Sequence, residues 1–95
     1  MSLIQHFRKI GESWEEYCQR KTLESQDKIR LYRGMVVVIP LLRAVPEFKD
    51  IDLVLSAMAL SNYDDARREL ILWLHEHCGA DSVAPILSAF DTYSV

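Results

Sequence analysis

Gly34-Met35-Val36-Val37-Val38-Ile39-Pro40 is the stretch on which the fold class turns. A β-branched run held between a glycine and a proline has the composition of a short buried strand. A strand, however, needs a partner, because a single one leaves its backbone N–H and C=O groups unpaired. No second run of this kind stands elsewhere in the 95 residues. Ile29 and Tyr32 lie upstream of Val36 and Ile39 at helical spacing, so the run reads as helix. Ser25 to Lys28 looks like its start, with Asp27 well placed beside the positive N-terminal dipole. Pro40 has no amide hydrogen for the Val36 carbonyl and its ring crowds that turn, so a kink or restart is expected there. Leu41, Leu42 and Val45 complete the segment, and Pro46 ends it.

On the N-terminal side, Leu3, Phe7, Ile10, Trp14 and Tyr17 fall at helical spacing. They predict an amphipathic helix from Ser2, a possible cap, to about Arg20. Gly11 weakens its middle by about 1 kcal/mol relative to alanine, so two pieces are an option. Trp14 and Tyr17 could form an exposed edge, but their place on the apolar stripe favours core. On the C-terminal side, Asp50 or Asp52 can cap a helix carrying Leu53, Val54, Ala57, Met58 and Leu60. So apolar a helix is expected to be central and touched on several sides.

Ser61 to Phe90 reads as a helix pair that the upstream chain covers. Ser61 with Asp64 three residues on suggests a capping box. Tyr63, Ala66, Leu70 and Trp73 make one stripe, widened by Ile71, Leu74 and Cys78. Gly79 stands where a left-handed C-cap belongs. Asp81 or Ser82 then caps a last helix whose first turn tolerates Pro85. Ile86, Leu87 and Phe90 face inward, and Tyr93 either docks or frays. The expectation is a single domain over residues 1–95, all-α, a compact bundle of four to five short helices.

Composition sets outer limits. Half the residues are apolar and a quarter charged, the balance of a folded globular chain. The longest apolar stretches, Met35–Leu42 and Ile51–Leu60, are too short to span a bilayer. Two distant cysteines and an N-terminus, MSLIQHFRKI, without an apolar core predict a reduced, cytoplasmic protein.

The chemical candidates are few. His75 and Cys78 share a helical face as two ligands of a zinc site would, but a closed site needs four. His-Glu-His is too closely spaced for the His-Glu-x-x-His metalloprotease motif, and cationic histidines suit a helix C-terminus by themselves. Cys78 and His75 as nucleophile and base lack an orienting acid, and a cysteine on an apolar stripe is usually inert. Asp64 and Asp65, being adjacent on a helix, point in different directions. No enzyme activity, metal or cofactor is expected.

The formal net charge of −3 hides an asymmetry. Residues 1–45 carry eight Lys/Arg against five acids, and residues 46–95 carry three against nine. Opposite-sign halves can steer one molecule onto another, although two solvated faces need no partner at all. The acidic balance disfavours direct nucleic-acid binding, because the best helix pair has no basic recognition helix.

From Leu41 to Phe90 the pattern resembles the death-domain superfamily. The carrying residues are Leu41-Leu42, then Ile51-Asp52-Leu53 in a middle helix. Ala66-Arg67-Arg68-Glu69-Leu70-Ile71-Leu72-Trp73 follows, then Gly79-Ala80-Asp81-Ser82-Val83 leading to Leu87 and Phe90. Pro40 falls inside what matches the first helix, and the sixth helix has no counterpart between Phe90 and Val95. The resemblance implies a non-enzymatic adaptor that assembles through oppositely charged surfaces.

The functional expectation is therefore a protein–protein interaction module. Arg30, Arg33 and Arg43 would form one steering face; Asp64, Asp65, Glu69 and Glu76 would form the other. The partner is another protein, a second copy included. The alternative is a small phage- or virus-type regulator that occludes a larger machine, by acidic mimicry of nucleic acid.

Overall fold

The computed structural model describes residues 8–45 and 50–94. Among them are five helices and no strand: α1 (Trp14–Glu24), α2 (Ile29–Arg43), α3 (Ile51–Leu60), α4 (Tyr63–His77) and α5 (Ala80–Tyr93). The all-α bundle is as expected, and Met35–Ile39 is helix. No helix among the described residues is long and apolar enough to cross a membrane.

The centre differs from the expectation. α2, not the Ser61–Phe90 pair and not α3, packs against all four other helices. Its composition explains this: Leu31, Tyr32, Gly34, Met35, Val38, Ile39 and Leu42 are all buried, covering nearly half of its circumference along three turns. α2 continues through Pro40 to Arg43 without a restart. The proline ring is solvent-exposed. α3 instead buries one side, Val54, Leu55, Met58 and Ala59, and leaves Leu53 and Leu60 more than half exposed.

The long N-terminal helix is corrected. Ser2, Leu3 and Phe7 lie outside the described residues, as does Pro46. Gly11 adopts a positive φ of 81°, in a turn where the Glu12 amide bonds to the Lys9 carbonyl at 3.0 Å. That conformation is open to glycine at little cost and breaks the stripe, so Ile10 is fully exposed. α1 starts only after a complete capping box. Ser13 Oγ accepts from the Glu16 amide at 3.1 Å, and Glu16 Oε1 accepts from the Ser13 amide at 2.9 Å. Further along, Ser25 Oγ accepts from the Lys28 amide, and α2 begins at Ile29.

Two other helix boundaries move, and the start of α3 stays at Asp50. Asn62, not Ser61, caps α4 by accepting from the Asp65 amide at 2.8 Å. Ser61 Oγ turns back and donates to the Ala57 carbonyl. Gly79 is not left-handed; at φ −68° and ψ 158° it is the N-cap position of α5. Asp81 and Ser82 therefore sit inside the first turn, and Pro85 is the sixth residue of the helix, in its second turn. Asp50 holds the N-cap position of α3 without a side-chain capping bond. Asp52 accepts the Trp14 indole N–H at 2.7 Å instead.

α2 and α5 cross at Gly34. A Cβ built there would overlap Ser94 Oγ and lie 2.7 Å from two carbons of the Phe90 ring. Only a glycine permits this approach. Phe90 stacks on Tyr63 at 5.3 Å, and the Arg30 guanidinium lies 4.2 Å from the centroid of the Tyr63 ring. Tyr63 Oη donates to Asp91 at 2.9 Å, while Arg67 holds the same carboxylate through both its oxygens. The start of α4 and the end of α5 are thus locked to the start of α2.

Candidate functional site

α1 and α5 each pack on α2, and an open groove of about 430 Å³ lies between them. α1 contributes Gln19, Thr22 and Leu23; α2 contributes Arg33, Val36 and Val37; α5 contributes Tyr93. The local reasons are visible in the sequence. α1 spends Trp14, Tyr17 and Cys18 on the core, which turns 19, 22 and 23 away from it. In α2 four consecutive β-branched residues cannot share one face. Val38 and Ile39 are fully buried, so Val36 and Val37 fall at the edge, half-buried.

The lining is apolar and wet. Leu23 is 89% exposed and Tyr93 56% exposed. Thr22 donates its hydroxyl to the Cys18 carbonyl at 2.7 Å, so its polar atom is already used within α1. Gln19 and Arg33 supply the polar rim. The groove carries no acid, histidine or cysteine among its lining residues. Its chemistry is that of a binding surface: an apolar floor with one cation at the edge.

Arg43 and Arg30, both expected to steer a partner, serve contacts within the chain. Arg43 forms a two-pronged ion pair with Glu15, tying the end of α2 to the start of α1. The guanidinium holds the Glu15 carboxyl below its ordinary range. Arg30 donates to the Ser94 carbonyl at 3.4 Å and covers Tyr63. Arg33 is exposed and sits at the groove. Arg30 and Arg33 are one turn apart, whereas Arg43 lies about 15 Å further along the helix.

The acidic residues run along α4. Asp64 and Asp65 are exposed in its first turn, where they suit the dipole, and Asp65 pairs with Arg68 at 3.0 Å. Glu69 is half-buried and Glu76 exposed, 3.6 Å from the His77 ring. Because Tyr63 contacts Arg30, the acidic turn of α4 lies beside the basic turn of α2. The two sets come together at Arg30 and the first turn of α4.

The remaining candidates are placed as follows. Cys18 is fully buried, and burial pushes its thiol up to about 12, far from a working nucleophile. Cys78 caps α4 through its own amide, bonded to the Leu74 carbonyl, and His75 is exposed. Trp73 is half-buried rather than a core centre, stacked on His77 at 4.6 Å. No group of three His, Cys, Asp or Glu able to hold a metal occurs among the described residues.

The groove is the feature that the sequence reading missed. One signal for it was available: the Met35–Ile39 run is too apolar for a helix to bury on one side. Leu23, alone in the polar tail of α1, was the second. Compared with known proteins, the chain matches no family model, no curated protein and no solved structure.

Proposed function

We propose that this protein is a protein–protein interaction module without catalytic activity, and that the α1–α2–α5 groove is where it takes an apolar helix face. The observation that carries this reading is the groove itself. Leu23, Val36, Val37 and Tyr93 gather around one concavity instead of scattering as single exposed residues. Contiguous exposed apolar surface with a polar rim is the usual mark of an interaction site. The charge asymmetry between the two halves supplies long-range steering, and Arg33 would orient an acidic residue of the partner at the rim. The death-domain resemblance over residues 41–90 implies the same class of role.

Capture from native extract by wild type, Leu23→Glu and Arg33→Glu tests it. Wild type should retain a defined partner set, weakened by salt, that both variants lose while still unfolding cooperatively in thermal melts. An identical partner set across the three proteins sinks the reading. Acidic mimicry by a regulator draws on the nine acids of residues 46–95. There Asp65 is already paired with Arg68, so the groove favours the first reading.

A further inference from the structure

Of the seven large apolar residues that the described chain exposes, Leu23 and Tyr93 belong to the groove, and two others form a second patch. Leu53 and Leu60 are 55% and 56% exposed on α3, seven residues apart, with half-buried Ala57 between them. Seven residues are close to two full turns, so both leucines share one azimuth about 10 Å apart along the axis. They form a ridge. The opposite side of α3, Val54, Leu55, Met58 and Ala59, is spent on the core.

We infer that the groove of one molecule takes the α3 ridge of a second copy. This rests on the interaction-module reading and names the partner. Shape is the first argument, since the groove is concave and the ridge convex, and both are largely apolar. No residue of α3 lines the groove, so the ridge of a molecule fills the groove only of another. Charge is the second. Residues 14–45, which hold all the groove except Tyr93, carry six Lys/Arg against four acids. Residues 50–94, which hold the ridge, carry two Arg against eight acids. Asp50 and Asp52 stand at the start of the ridge, and Arg33 lines the groove. Docking therefore brings a basic surface onto an acidic one.

The two patches differ, so either two molecules fill each other's grooves about a two-fold axis, or the contact repeats head-to-tail as a ring or an open chain. Its apolar area is small. Association belongs to the weak end of protein interfaces, concentration-dependent and weakened by salt.

Light scattering on the purified full chain tests this with two variants at exposed positions. Leu23→Glu disables the groove and keeps the ridge; the double variant Leu53→Glu/Leu60→Glu disables the ridge and keeps the groove. Wild type should rise from 11.0 kDa to at least twice that mass as concentration rises. Each variant alone should stay at 11.0 kDa, and an equal mixture should form a complex of twice that mass and nothing larger. The mixture also shows that both variants are folded. Wild type that remains at 11.0 kDa at every concentration overturns the inference. So does assembly that survives in either variant, or a mixture that stays monomeric. Partner capture from extract is a separate readout, so a monomeric protein that still loses its partners with Leu23→Glu would keep the module reading and discard self-docking.

Discussion

α2 meets its surroundings in two opposite ways. On the side of Gly34 it is packed so closely against Phe90 and Ser94 that a methyl group has no room. On the side of Val36 and Val37 it is left open to water between α1 and α5. Hydropathy alone would assign these sides the other way round, valines inside and glycine outside. Distance between helix axes decides instead. Where the axes are closest the residue must be smallest, and where the neighbouring helices leave a gap, apolar side chains stay uncovered.

Breaking the tight side should be the most damaging change. Phe90→Ala removes a fully buried ring that contacts α2 and stacks on Tyr63, and should lower unfolding free energy by about 3–5 kcal/mol in urea titration. Gly34→Ala keeps every native group yet forces α2 and α5 apart, an overpacking expected to cost about 1–3 kcal/mol. A Gly34→Ala protein as stable as wild type would mean that the crossing is looser than described.

The groove's α1 wall can be loosened by acid. Arg20 holds the Glu12 carboxyl at about 2, through two hydrogen bonds of 2.8 and 2.9 Å. A carboxyl depressed in the folded state stabilises it above its unfolded pKa, and that contribution fades as pH falls from about 4.5 toward about 2. Glu12→Gln should therefore be less stable than wild type near neutrality, by about 1 kcal/mol, and equal to it at the acid end. A constant gap across that window would contradict the ion pair. Smallest of all, Leu23→Glu and Val37→Ser on the open side should shift stability by about 0.5 kcal/mol or less in thermal melts. If either unfolds the protein, the groove is part of the core.

Much of the fold could be read in the sequence, for reasons that single out the exceptions. The absence of a partner strand settled GMVVVIP as helix, and stripes placed Trp14, Tyr17, Leu70, Leu74 and Phe90 inside, all of them buried. Helix ends were harder. Ser13 and Glu16 form a capping box in plain view, but the apolar stripe running from Leu3 to Tyr17 masked it. Ser61 and Asn62 are both good caps, and which one acts depends on where α3 stops. Gly79 lies between two helices with no spare residues, where an N-cap and a C-cap look alike. The candidate site was least legible, because the groove exists only once α5 has been laid along α2. Thr22 and Tyr93 are remote in the chain and meet through packing alone. The charged residues were legible as charges, but whether Arg43 faces a partner or Glu15 is a tertiary fact.

The Gly34 crossing also bears on ancestry. A position that admits one residue type for steric reasons resists substitution whatever the protein binds, whereas the valines beside it are free to drift as partners change. Chains descended from this one would lose resemblance at the groove first and at the crossing last. Their shared mark would be a glycine midway along a central helix, matched in the final helix by a phenylalanine with a serine one turn beyond it.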